Sequence, residues 1–88
     1  MDTVMMLEML KVDLGITTKA YDERLAQYLN MARTAIETEG ITLHDEDAND
    51  GVLQIMYAAW LWRKRDGMEG MPRMLRYLLN NRLFSEKI

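Results

Sequence analysis

The side chains best suited to chemistry lie in one polar stretch that begins at His44. His44 is the only histidine, and Asp45, Glu46 and Asp47 follow it directly. Imidazole and carboxylate groups can together hold a metal ion, so a metal site is one interpretation. The stretch lacks the ligand at every second position and the turn glycine of a calcium loop. We therefore favour a loop whose Asp47 or Asn49 caps the next helix, and we expect no metal and no other cofactor.

Groups for nucleophilic or acid–base catalysis are sparse in this chain. There is no cysteine, which excludes disulfides and thiolate nucleophiles, and the sole serine is Ser85 near the end of the sequence. Catalysis needs a nucleophile beside a base, or paired acids in a cleft, and neither arrangement is visible. Gly67 and Gly70 lack the spacing of a phosphate-binding loop. We expect no catalytic residues and predict that the protein is not an enzyme.

Basic residues are the remaining candidates for a binding function. The run Arg63–Arg65 ends a predicted helix, where cations complement the negative end of the helix dipole. Together with Arg73, Arg76 and Arg82 it could instead form a surface that meets phosphates or an acidic protein patch. Both interpretations remain open from the sequence.

Charge is divided unevenly along the chain. Residues 1–50 carry eleven acidic side chains against four basic ones, whereas residues 51–88 carry seven basic side chains against three acidic ones. This distribution predicts an electrically polar molecule, suited to head-to-tail contact between copies or to a basic face directed at a polyanion. Two solvated faces without a partner are the alternative.

Length and composition predict a single domain over residues 1–88. Hydrophobic residues make up 49% of the chain, which indicates a packed core. The longest nearly uninterrupted apolar run, Val52 to Trp62, would be about 16 Å long as a helix, too short to span a bilayer. The N-terminus also lacks the basic region of a signal peptide. We therefore expect a soluble, intracellular protein.

Apolar periodicity predicts an all-α fold, a small bundle of about four helices at residues 3–14, 19–39, 48–65 and 72–83. The second helix is the most clearly amphipathic, and no strand pattern appears. The predicted boundary residues are Asp2 or Thr3 and Gly15 for the first helix, Thr17–Thr18 and Gly40 for the second, and Pro72 as the first residue of the fourth, with Ser85 to Ile88 as a fraying end.

The third predicted helix is apolar on two faces, which marks it as the central element or as part of an assembly interface. We expect its first face to pack on the second helix, and its second face to be shared between the remaining helices and a neighbouring subunit. The first face comprises Leu53, Met56 and Trp60, and the second comprises Ile55, Ala59 and Trp62. The predicted core comprises Leu25, Tyr28, Leu29, Leu53, Met56, Tyr57, Trp60, Leu75 and Leu78.

The apolar stripe of the first predicted helix is wider than packing against the bundle on one face requires. Met5, Met6 and Met9 add to the leucines that lie at helical spacing. We expect part of that width to face another subunit.

Several segments of the chain follow one another in a recognisable order. They are Leu10–Ile16, Thr17–Thr18, Tyr21–Leu25, Glu39–Gly40, an acidic loop, Met56–Arg65 and Met71–Arg76. Together they resemble the head–tail connector family of tailed bacteriophages and prophages, over nearly the whole chain. The opening of the last helix, Met71–Arg76, is the most characteristic piece.

The resemblance implies a structural virion protein without catalytic activity. Its copies would form a homo-oligomeric ring beneath the portal protein, matching the symmetry of the portal and extending the DNA channel. The ring would present a docking surface for a downstream head-completion or tail protein, and DNA would pass through without sequence-specific binding. The expected location is the head–tail junction of the virion, and the host cytoplasm during assembly, with no membrane involved.

Roles for particular residues follow from the same resemblance. Tyr57, Trp60 and Trp62 match the family's aromatic central helix and would serve as core and subunit contact. Arg73 and Arg76 match its last helix and would face the portal or a neighbour. The residues expected at the subunit or portal interface are Trp62, Arg63, Arg65, Met68, Met71, Arg73 and Arg76. The competing hypothesis is a small helical nucleic-acid-binding or phage regulatory module, in which Arg73 and Arg76 contact DNA.

Overall fold

The computed structural model describes residues 1–67 and 69–86 as a bundle of four helices. These are α1 (Thr3–Leu14), α2 (Asp22–Thr38), α3 (Ala48–Lys64) and α4 (Arg73–Glu86). The described residues contain no β-strand, so the predicted all-α bundle is confirmed. Met68, expected at an interface, lies outside the described residues. No helix in the described part of the chain is long and apolar enough to cross a membrane.

The ends of α1 and the start of α3 follow the local sequence signals. The side chain of Asp2 accepts a hydrogen bond from the amide of Met5 at 2.7 Å, which satisfies one of the unpaired donors of the first turn. Gly15 ends the helix with φ 72°, a left-handed conformation that glycine adopts without steric cost. Asp47 caps α3 by accepting from the amide of Asn49 at 2.9 Å.

The predicted start of α2 at residue 19 is wrong, because the helix begins three residues later at Asp22. The hydroxyl of Thr18 accepts from the amide of Ala20 at 3.2 Å, so it closes a local turn instead of capping the helix. The Asp22 carboxylate pairs with Lys11 at 2.7 Å, which connects the first turn of α2 to α1.

The fourth helix differs from its predicted span at both ends. It begins at Arg73, with Pro72 directly before it accepting from the amide of Arg76 at 3.1 Å. It continues to Glu86, past the predicted end at residue 83 and into the predicted fraying end, whose last two residues, 87 and 88, lie outside the described residues. The reason is tertiary, since the Glu86 carboxylate accepts from the amide of Thr42 at 2.9 Å and so anchors the last turn.

The third helix packs against each of the other three helices, as the sequence predicted for a central element. Five of the nine predicted core residues are buried, and the other four are half-buried and packed against that core. The buried five are Leu25, Leu29, Leu53, Tyr57 and Leu75, and the half-buried four are Tyr28, Met56, Trp60 and Leu78.

The predicted orientation of α3 toward α2 is wrong. The side chain that bonds to α2 is Gln54, whose Nε2 donates to the carbonyl of Leu29 at 2.8 Å. Trp62 lies on the same side of α3, and its ring meets the edge of Tyr28 with centroids 5.3 Å apart. Leu53, expected to face α2, instead lines a cleft with Leu78 of α4.

Tyr57 of α3 is buried, and its burial, with a smaller contribution from the charge of Glu39, raises the pKa of its hydroxyl. The folded protein therefore holds this proton more tightly than the unfolded chain. We expect the free energy of unfolding to fall as pH rises above the ordinary tyrosine pKa of about 10, and to fall less in Tyr57→Phe.

Absorbance of tyrosinate against pH measures this ionisation. The difference curve between the wild type and Tyr57→Phe should show a group that titrates above its ordinary range. Tyr77→Phe is the control, because the ring of Tyr77 is exposed. An ordinary titration midpoint in the Tyr57 difference curve would contradict the prediction.

Candidate functional site

Trp62 is a core residue, and its expected place in the subunit or portal interface is wrong. Its side chain is only 6% exposed, so a neighbouring protein cannot reach it. The ring is in edge contact with Tyr21 and Tyr28, at centroid distances of 5.7 and 5.3 Å. The Arg65 guanidinium covers its face at 3.8 Å from the centroid, a cation–π contact. Arg65 therefore shields this cluster from solvent.

Three basic residues of the second half of the chain pair with acids of the first half. Arg63 approaches the Asp13 carboxylate of α1 at 3.5 Å, and Arg76 pairs with Glu39 at 2.9 Å. Arg82 pairs with Asp50. These pairs offset part of the uneven charge distribution within one molecule. The electrical polarity of the whole molecule stays a prediction.

The remaining predicted interface residues do not form one surface. Arg63 of α3 contacts Asp13 near the end of α1. Arg76 of α4 donates to the Glu39 carboxylate at the end of α2, and this hydrogen bond raises the pKa of its guanidinium. Met71 is half-buried and packs against the core, whereas Arg73 is exposed. Lys64 is directed at the ring of Trp60, 4.4 Å from its centroid.

Asp50 is the centre of a buried polar network that the sequence analysis did not predict. Its side chain is 2% exposed and accepts from the amide of His44 at 2.8 Å as well as from Arg82. Arg82 also donates to the carbonyl of Thr42 at 2.8 Å. The network connects the loop before α3 to α4. Among residues 1–67 and 69–86, no three His, Cys, Asp or Glu side chains are placed to share a metal ion.

An open apolar groove lies between α1 and α3. Its volume is about 400 Å³, and its lining residues are Glu8, Met9, Val12, Asp13, Val52, Ile55 and Met56. We call it the α1/α3 groove. Val12 is 83% exposed at its edge, and Val4, one helical turn before Glu8, is 71% exposed. Apolar side chains this exposed lose contact with water only if another molecule covers them.

A second apolar surface lies on the outer side of α4 and consists of Met74, Tyr77 and Phe84. We call it the α4 seam. These side chains are 61%, 61% and 68% exposed. Their spacing of three and seven residues places them in one stripe along the helix, as in the contact positions of helix pairs.

The sequence analysis found part of these two surfaces. It expected some of the apolar width of α1 to lie outside the bundle, and Met5 and Met9 are exposed while Met6 is buried. It did not single out Tyr77 or Phe84, which are exposed beside Met74. A second heptad-like stripe on α4, offset from Leu75 and Leu79, is the signal that could have identified them.

Comparison with known proteins adds no relatives. No protein-family model matches the chain, and neither a curated protein nor a solved structure is significantly similar to it.

Proposed function

We propose that this chain is a non-enzymatic structural subunit that assembles into a ring. The observation that carries the proposal is the presence of two different exposed apolar surfaces on one small subunit, the α1/α3 groove and the α4 seam. When one surface of a subunit meets a different surface of the next, the contact is repeated from copy to copy. It then closes as a ring or extends as a filament.

The sequence resemblance to head–tail connectors indicates where such a ring would act. We propose that it is the head–tail connector of a tailed bacteriophage or prophage, placed beneath the portal protein at the head–tail junction. It extends the DNA channel and offers a docking surface to a downstream head-completion or tail protein. Assembly then takes place in the host cytoplasm.

The competing function, a nucleic-acid-binding module, has less support from the charges of the molecule. Phosphate binding requires basic side chains that converge on one surface. Arg63, Arg76 and Arg82 are instead paired with Asp13, Glu39 and Asp50 at three different places.

Assembly of the purified protein tests the proposed function. We expect light scattering over a concentration series to show association to a defined oligomer, alone or with the portal protein of the same phage or prophage. Negative-stain microscopy should show rings. A chain that stays monomeric at every concentration and binds no portal ring would refute the proposal, and salt-dependent DNA binding by the monomer would favour the competing function.

A further inference from the structure

We infer that the α1/α3 groove of one copy holds the α4 seam of a second copy. The inference rests on the proposed function, because it assigns the two surfaces through which neighbouring subunits of the ring meet. It also goes beyond that function, since ring formation by itself does not say which helices are in contact.

The two surfaces agree in length. The seam runs over eleven residues of α4, from Met74 to Phe84, which is about 15 Å along a helix. The exposed apolar side chains of α1 run from Val4 to Val12, which is about 12 Å. Val52 and Met56 of α3 continue the apolar lining across the floor of the groove. A single helix of a second copy can therefore cover this groove along most of its exposed length.

The two surfaces also agree in charge. Two carboxylates, Glu8 and Asp13, lie in the lining of the groove. The seam has Arg73 at its N-terminal end, exposed to solvent. The one acid within the described part of α4, Glu86, is turned away to Thr42 and Arg82. Asp13 is already paired with Arg63, so Glu8 is the carboxylate of the groove that we expect to meet Arg73 of the seam.

Contact between two seams is the main competing arrangement. It would pair α4 of one copy with α4 of another about a two-fold axis and stop at a dimer. It would also leave the apolar floor of the groove, including Val52 and Met56, open to water. Groove-to-seam contact covers both surfaces at once. It therefore buries more apolar area than contact between two seams, which favours it.

Cysteine cross-linking tests the contact directly, because the chain has no cysteine of its own. We would mix Val12→Cys with Tyr77→Cys at concentrations where the wild type associates, and oxidise with copper phenanthroline. Thr34→Cys, an exposed position on α2, replaces one partner in the control mixtures. We expect the mixed Val12–Tyr77 dimer to dominate, and the double variant to form a ladder of covalent oligomers.

Charged substitutions at the same positions test the energetics. Val12→Glu and Tyr77→Glu should each remain folded, because both side chains are largely exposed, and circular dichroism checks this. Each alone should raise the concentration needed for half-assembly by about ten-fold or more. Mixed together they should form a dimer that cannot grow, since the mixture retains one intact groove and one intact seam.

The outcomes separate this inference from the proposed function. Cross-links between two Tyr77→Cys chains only, or yields no higher than with Thr34→Cys, would overturn the groove-to-seam contact. If Val12→Glu forms the same rings as the wild type, the groove-to-seam contact is wrong and the proposed function still stands. A wild type that never associates would overturn both.

Discussion

Replacing Trp62 by alanine should lower the free energy of unfolding by about 3–5 kcal/mol, the cost of removing a large aromatic side chain from a packed core. The ring is buried between Tyr21 and Tyr28 and covered by Arg65, so the change removes contacts between α2 and α3 and leaves a cavity. Small domains are stable by only about 5–15 kcal/mol, so a large share of the native stability should be lost. Urea denaturation followed by far-ultraviolet circular dichroism measures the change.

Trp60→Ala is the matched control, because it removes the same side chain two positions earlier in α3. Trp60 is half-buried, and its indole nitrogen donates to the carbonyl of Glu69 at 3.3 Å. Because Trp60→Ala removes less buried apolar area than Trp62→Ala, we expect the free energy of unfolding to fall by only about 1–2 kcal/mol. Equal or larger destabilisation by Trp60→Ala would mean that the assignment of Trp62 to the core is wrong.

Arg82→Ala should have the second largest effect, a loss of about 2–4 kcal/mol, because it leaves the Asp50 carboxylate buried without its cation. Asp50 is 2% exposed, whereas the Arg82 side chain is 29% exposed, so solvent replaces only part of the lost interaction. The carbonyl of Thr42 loses a donor as well. Thermal and urea denaturation of the variant measure the loss.

Arg76→Ala is the control for this ion pair. Arg76 and Glu39 are 44% and 26% exposed, and solvent-exposed pairs contribute about 1 kcal/mol or less. A double-mutant cycle of Arg82→Ala and Asp50→Ala should show strong coupling between the two residues. Arg82→Ala should destabilise the protein less when Asp50 is also replaced, because no unpaired carboxylate is then buried. The prediction fails if Arg76→Ala and Arg82→Ala destabilise the protein equally.

Much of the fold could be predicted because three of the four helices carry clear local signals. In α2 the buried residues Leu25, Leu29, Ala32 and Ile36 repeat at helical spacing, and this period alone identifies the inward face. The caps at Asp2 and Asp47 and the left-handed Gly15 depend on neighbouring residues only, so sequence reasoning places them well.

The orientation of α3 could not be predicted because a helix that is apolar all round has no periodic face to read. Trp60 and Trp62 point in nearly opposite directions, about 200° apart on the helix, and nothing in the sequence says which one meets α2. The structure turns a polar residue, Gln54, toward α2, where the carbonyl of Leu29 satisfies it. Sequence patterning places such a side chain on the solvent face.

The basic residues illustrate a related limit. Arg63, Arg76 and Arg82 lie 50, 37 and 32 residues from the acids that they bind. The composition gives the number of these charges. Only the packing of the helices in the fold brings each arginine next to its acid. Their pairing places these three arginines beside three different acids, which a count of charges does not show.

The contrast between Trp62 and Trp60 also makes the molecule convenient to observe. One indole lies in an aromatic cage between α2 and α3, and the other touches the turn that leads into α4 through the carbonyl of Glu69. Because indole fluorescence responds to local polarity, the chain contains two optical reporters at different places. Variants that retain only one tryptophan can follow melting of the α2–α3 core and movement of α4 as separate events.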